Sequence, residues 1–253
     1  MLAVLDLFTS DKPAWSAEAI AERLGYSVPT VYRYVRELCD VGLLRGESGA
    51  SYVLGPKIIE LDYQMRTGDP LITAGRVAMR QLADVTGCDV VLVTLCGGHV
   101  ITIHQEFGSE GISASYGRGR RMPLFRGAMS KCLLAALPRP QLRRLYAQNE
   151  REAAGEAFAD VWDTLLAQTR QIRQDGYALS QGELDAGNVG IAVPLTSEDH
   201  KIVAALGFIM SRQRFSMIEI QRSVAMLHGC AADIQAKLAA PSTDVYLVPL
   251  TAM

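Results

Sequence analysis

Residues 19–35 read Ala19-Ile20-Ala21-Glu22-Arg23-Leu24-Gly25-Tyr26-Ser27-Val28-Pro29-Thr30-Val31-Tyr32-Arg33-Tyr34-Val35. In this stretch Ala21, Leu24, Val31 and Val35 sit where two helices joined by a short break pack against each other. Gly25 supplies the turn. Ser27 is placed to cap the second helix, with Pro29 in its first turn, where a missing N–H costs nothing. Ser16 caps the first, with Glu18 and Glu22 near its start and Ala17 and Ile20 on its buried side. A support helix, a tight turn and a second helix with outward-facing N-terminal residues make a helix-turn-helix. Its outward residues are Ser27, Pro29, Thr30, Tyr32, Arg33 and Arg36. Hydroxyls and arginines there suit phosphate oxygens and base edges, and Arg33 is the first choice for a bidentate pair with guanine.

The flanks complete the motif. Met1 to Phe8, with Leu2, Leu5 and Phe8 in phase, predicts a short amphipathic helix, and Gly42 ends the recognition helix. Leu43–Arg45 and Ser51–Leu54 around a Gly-containing turn predict a hairpin, the wing, with Arg45 placed to lie along a DNA backbone. Residues 57–66 predict a connecting helix. Net charge does not announce a nucleic-acid binder: it is -2 for the chain, and residues 1–57 hold six Lys/Arg against seven Asp/Glu. The argument rests on position, since Ser27 to Arg36 holds two arginines and no acid.

After Gly68-Asp69-Pro70 the pattern changes. A helix is expected over 71–86 with Val77, Ala78, Leu82 and Val85 on one face. Asp89–Leu95 and Val100–Gln105 form a hairpin about Gly97-Gly98. Residues 116–127 read as a loop, and 128–136 and 140–146 as helices. Phe158, Val161, Trp162, Leu165, Leu166, Thr169 and Ile172 set out one strong amphipathic helix. Strands are expected over 178–183, 190–195 and 202–210, and a final helix from Met217 to Leu238. The order is that of an α+β sheet with helical cover. The expected division is 1–57 winged helix-turn-helix, 58–70 linker helix, 71–240 second domain and 241–253 tail.

The whole chain resembles the IclR family of bacterial transcription regulators. Beyond the N-terminal motif, the resemblance runs through Arg121-Met122-Pro123-Leu124 and Gly127–Ala135. It resumes at Ile172–Ala178, Gly182-Glu183, Gly187, Ile191–Leu195 and Val203–Gly207. Phe125-Arg126 stands where the family more often has a small or polar pair, and Met129 and Cys132 replace common small residues. The resemblance implies a GAF-like, antiparallel-sheet effector domain that binds a small organic metabolite, an acid or aromatic catabolite among the possibilities. It also implies a homodimer, or a dimer of dimers, on a near-palindromic double-stranded operator. Carried over by position, the effector-binding residues are Gly127, Ala128, Met129, Ser180, Glu183, Asn188, Gly190, Ala192, Met210 and Ser211. A helix start favours an anion. Arg118, Arg120 and Arg121 read either as a solvated basic loop or as a cluster neutralising a ligand carboxylate, and Glu183 reads equally as a structural cap.

Other chemistry finds little footing. Cys88, Cys96, His99 and His104 fit no common zinc spacing, so no metal or cofactor is expected. No Cys/His pair carries an orienting third group, so no catalytic residue is assigned. Five scattered cysteines read as reduced cytoplasmic thiols. No apolar run reaches membrane-spanning length, and no signal peptide is evident. Two rivals stay open: a DNA-binding protein whose second domain only oligomerises, and an enzyme with an appended helix-turn-helix. Repression and activation are not distinguished.

Overall fold

The computed structural model describes residues 1–112, 115–196 and 203–239, and the expected tail lies outside them. The chain divides into two compact units, Met1–Gly68 and a second beginning at Asp69.

In the first unit a 3-10 helix (Leu2–Leu7) is followed by β1 (Trp15–Ser16), α1 (Ala17–Leu24), α2 (Val28–Asp40), β2 (Leu44–Glu47), β3 (Ser51–Leu54) and α3 (Lys57–Gly68). Ser16 caps α1 by accepting the Ala19 N–H at 3.2 Å. Gly25 closes α1 at φ +70, a left-handed conformation that a side chain would strain. Eight buried side chains form the core: Val4, Ala17, Ile20, Ala21, Val31, Val35, Leu38 and Leu44. The expected pair of helices is present, and the wing gains a strand that the sequence reading missed. Trp15 and Ser16 pair with Tyr52 and Ser51, giving a three-stranded antiparallel sheet in the order β1-β3-β2. The Trp15 indole donates to the Leu7 carbonyl at 2.9 Å and so ties the N-terminal turn to that strand. At Gly55 the chain crosses the end of α2 so closely that a Cβ would lie 2.1 Å from the Gly42 carbonyl oxygen.

The second unit contains α4 (Pro70–Thr86), β4 (Asp89–Cys96), β5 (His99–Glu106), β6 (Arg121–Met122), α5 (Ala128–Ala136), α6 (Arg139–Gln148), α7 (Glu150–Ala153), α8 (Trp162–Asp175), β7 (Ala178–Gln181), β8 (Asn188–Thr196), β9 (Val203–Ser211), α9 (Arg212–Phe215) and α10 (Ile220–Ala239). Six antiparallel strands run in the order β6-β5-β4-β9-β8-β7. Side chains alternate between the faces. Val90, Leu92, Val189, Ile191 and Phe208 pack with α4 and α10, whereas Val91, Val93, Ala192 and Ala205 pack with α5 and α8. Both faces are covered, which explains why β4 reads as an unbroken apolar run. Burying each Val or Leu contributes about 1.5–3 kcal/mol.

Three expected patterns are corrected. Val77 and Val85 of α4 are exposed, and the buried stripe is Leu71, Ala74, Met79, Leu82 and Ala83, one step around the helix. The 158–172 pattern is not one helix: α8 starts at Trp162, Val161 precedes it at the surface, and Phe158 is buried from an irregular segment. Met217 likewise stands exposed before α10 begins. In the last two cases residues outside the helix imitate its period; in α4, apolar residues within the helix sit off its buried face.

Candidate functional site

The first candidate surface lies on α1 and α2. Val31, Val35 and Leu38 hold α2 against the core, which leaves Tyr32, Arg33 and Arg36 exposed on the other side. Ser27 stands at the N-cap of α2 but does not close it. Its hydroxyl pairs with that of Thr30 at 2.8 Å, and its side chain makes no bond to the helix backbone. The first N–H groups of α2 are thus left without a side-chain cap, a geometry suited to a phosphate. Pro29 is exposed beside Ser27, and Thr30 is half-buried. The Arg33 guanidinium lies 5.4 Å from the Tyr34 ring, and Tyr34 meets Tyr26 edge-on at 5.8 Å. Among the described residues no ion pair engages Arg33 or Arg36. Arg45 is exposed on β2, opposite Val53.

Tyr32 is less free than its sequence position suggests. Its hydroxyl donates to the Glu18 carboxylate on α1 at 2.8 Å. The Glu18 backbone and this phenol together lower the Glu18 carboxyl from its ordinary value, and the same contact raises the Tyr32 phenol. Tyr26 and Val28, at the turn into α2, are also exposed and were not among the sequence candidates.

The second site is a small cavity in the second unit. Tyr116, Met122, Ala128, Met129, Ser180, Glu183, Leu184, Asp185, Asn188, Val189, Gly190 and Ile209 enclose about 40 Å³. Gly190 faces Ser180 across the β7–β8 pair and the start of α5 above it: a Cβ at Gly190 would lie 3.1 Å from the Ser180 hydroxyl and 3.3 Å from the Ala128 methyl. Of the sequence candidates, Ala128, Met129, Ser180, Glu183, Asn188 and Gly190 come together here.

The other four do not line the cavity. Gly127 is the N-cap of α5 and donates its N–H to Glu183 at 2.9 Å. Ala192 shares the Gly190 face but lies two residues deeper, fully buried in the core. Met210 points to the opposite face, because side chains alternate along β9, and packs in the other core. Ser211 bonds the Glu110 carboxylate. Alternation should have pointed to Ile209 in place of Met210. Tyr116 and Met122 were missed because 116–127 read as loop, although Arg121-Met122 pairs as an edge strand.

The electrostatics of the cavity centre on Glu183. One carboxylate oxygen accepts from Gly127, and the other pairs with the Lys131 ammonium at 2.5 Å. Asp185 accepts the Ser115 N–H at 3.1 Å and the Ser115 hydroxyl. None of the three loop arginines lines the cavity: Arg120 donates to the carbonyl of Ser115, the residue that bonds Asp185, at 2.7 Å, and Arg121 lies against His99. Phe125 is buried edge-on to Tyr146, and Arg126 pairs with Glu156 at 3.2 Å.

The zinc reading gains nothing from the fold. Cys88 is buried at one end of β4, and Cys96 is exposed at the other. Among the described residues no group of three His, Cys, Asp or Glu is placed to hold a metal ion. Among the described residues no helix is long and apolar enough to cross a membrane.

Residues 1–48 match the model of the IclR helix-turn-helix domain, and residues 65–236 match that of the bacterial transcriptional regulator IclR C-terminal domain. The transcriptional regulator KdgR of Escherichia coli is 28% identical over 220 residues, covering 87% of this chain and 84% of its own. BhcR of Paracoccus denitrificans is 30% identical over 199 residues, covering 77% and 70%. Solved structures share the fold. An IclR-family regulator from Brucella abortus superposes with a TM-score of 0.77 at 23% identity, over 93% of this chain and 89% of that one. An IclR homologue from Microbacterium hydrocarbonoxydans, complexed with 4-hydroxybenzoate, gives 0.76 at 22% identity, over 94% and 96%.

Proposed function

The chain belongs to the IclR family of bacterial transcription regulators, and from that premise we propose how its two units divide the work. The first unit reads an operator with α2 in the major groove. Arg33 reaches a base edge, Arg36 and the open α2 start hold phosphates, and Arg45 follows the backbone from the wing. Ser27, Pro29, Thr30 and Tyr32 shape the contact around them. The second unit holds a small organic effector in the cavity beneath α5, and the 4-hydroxybenzoate complex of the Microbacterium homologue supports such a ligand. The protein acts in the cytoplasm without catalysing a reaction, as a homodimer or dimer of dimers. The observation that carries the reading is the exposed Tyr32-Arg33-Arg36 face of α2, held outward by Val31 and Val35 on a short, tightly turned helix pair.

Effector and DNA share one coupling free energy, so whatever the effector does to DNA affinity, DNA does to effector affinity. The reading is tested by selecting duplexes from a random pool with the full chain. The expected product is a near-palindrome with half-sites about one helical turn apart, roughly 10 base pairs. A pool with no enriched sequence would overturn the assignment of α2 as a base-reading helix.

A further inference from the structure

We propose that the cavity beneath α5 selects an uncharged, hydroxyl-bearing organic molecule over a carboxylate; the inference rests on reading that cavity as the effector site. The reason is that the chain supplies its own anion there. Glu183 takes the Gly127 N–H at the start of α5 with one oxygen and Lys131 with the other, at 2.9 Å and 2.5 Å. The positive end of the helix and the nearby cation are therefore already matched to a carboxylate before any ligand enters. Asp185 adds a second acid to the wall, and its Ser115 partners are neutral. Among the described residues that line the cavity there is no lysine, arginine or histidine. An entering carboxylate meets two acids in a partly desolvated site, where charges are weakly screened.

The rest of the wall suits a different molecule. Met122, Met129, Leu184 and Ile209 offer an apolar bed, and Ser180 contributes a neutral hydroxyl. A hydroxyl on the ligand donates to Glu183 or Asp185, while a ring or short chain lies on the methionines. The enclosed 40 Å³ is the space of one or two waters, so entry requires wall side chains to move, and the two unbranched methionines do so at least cost.

Calorimetry of the full chain with two matched pairs tests this: 4-hydroxybenzyl alcohol against 4-hydroxybenzoate, and benzyl alcohol against benzoate. In the wild type the alcohol of each pair is expected to bind at least about tenfold tighter than its acid, as like-charge opposition implies. Glu183→Gln frees Lys131 and is expected to narrow or reverse that preference. Equal or tighter binding of the acids by the wild type would overturn the inference, and this comparison stands even where the variant fails to fold. Ala128→Leu, checked for folding by its thermal melt, fills the cavity and separates the two levels of the argument. If it abolishes binding while wild type prefers acids, the cavity remains the effector site and only the ligand class is wrong. Binding unaffected by Ala128→Leu, or no binding by any of the four compounds, would remove the effector reading and this inference with it.

Discussion

Replacing Arg33 by alanine separates DNA reading from folding. The side chain is exposed, engages no ion pair among the described residues, and sits 5.4 Å from the Tyr34 ring. Its removal therefore forfeits at most a weak cation–π contact of about 0.5–1 kcal/mol, against which alanine's helix propensity is neutral to favourable. The buried neighbours Val31 and Val35 are untouched, so the urea midpoint should hardly move. Losing a bidentate base contact instead costs about 1–3 kcal/mol, or roughly 5- to 150-fold in Kd. The salt response identifies the kind of contact. A base contact leaves the slope of log Kobs against log salt nearly unchanged, whereas a phosphate contact lowers its magnitude by about 0.9. Fluorescence anisotropy on the selected duplex and on single-base variants, over a salt series, gives both quantities. Affinity equal to wild type at matched salt would refute the assignment. So would a uniform loss across all sequences with a slope lower by one unit, which would make Arg33 a phosphate contact.

Arg45→Ala is expected to show that second behaviour, a sequence-independent loss with a flatter salt slope in the same titrations. Gly55→Ala cannot be accommodated without moving backbone, given the 2.1 Å approach to Gly42, and should destabilise the first unit by about 1–3 kcal/mol in urea melts. Burial holds His104 below the ordinary imidazole range, outweighing the Glu106 contact at 2.8 Å, so the folded state prefers neutral histidine. The unfolded state then binds the extra proton: stability present above the ordinary histidine value of about 6.5 falls as pH drops through it toward the lower folded value, and His104→Gln should flatten that part of a stability–pH curve. Native-state alkylation followed by mass spectrometry should modify exposed Cys96 first and spare Cys88, Cys132 and Cys230. Burial raises all three of those thiols, Cys230 to about 11.

The local signals in the sequence were strong where punctuation and period agreed. Gly25 and Gly87 end helices in left-handed conformations, Gly97-Gly98 turns the β4–β5 hairpin, and the 128–136 helix has the expected bounds. What sequence could not supply was long-range pairing. Trp15-Ser16 looks like the lead-in to a helix, and only Tyr52 and Ser51 make it a strand. The face of α4 was misjudged because Val77 and Val85 carry the right hydrophobicity at the wrong phase, and only packing against the sheet and α10 selects the true stripe. At the cavity, six positions come together because β7 and β8 pair in register, placing Ser180 opposite Gly190. Glu183 was legible as a candidate, and it does line the cavity. That it occupies the start of α5, and so opposes an anion there, depends on an approach between residues 56 apart in sequence.

Reciprocal titration measures the proposed coupling of the cavity to α2 by one bound molecule. Kd for the selected duplex is determined with and without saturating amounts of the tightest-binding compound, and Kd for that compound with and without saturating duplex. Two equal ratios that differ from one are expected, both returning to one in Ala128→Leu. Ratios of one in the wild type, or a coupling that survives filling of the cavity, would contradict it.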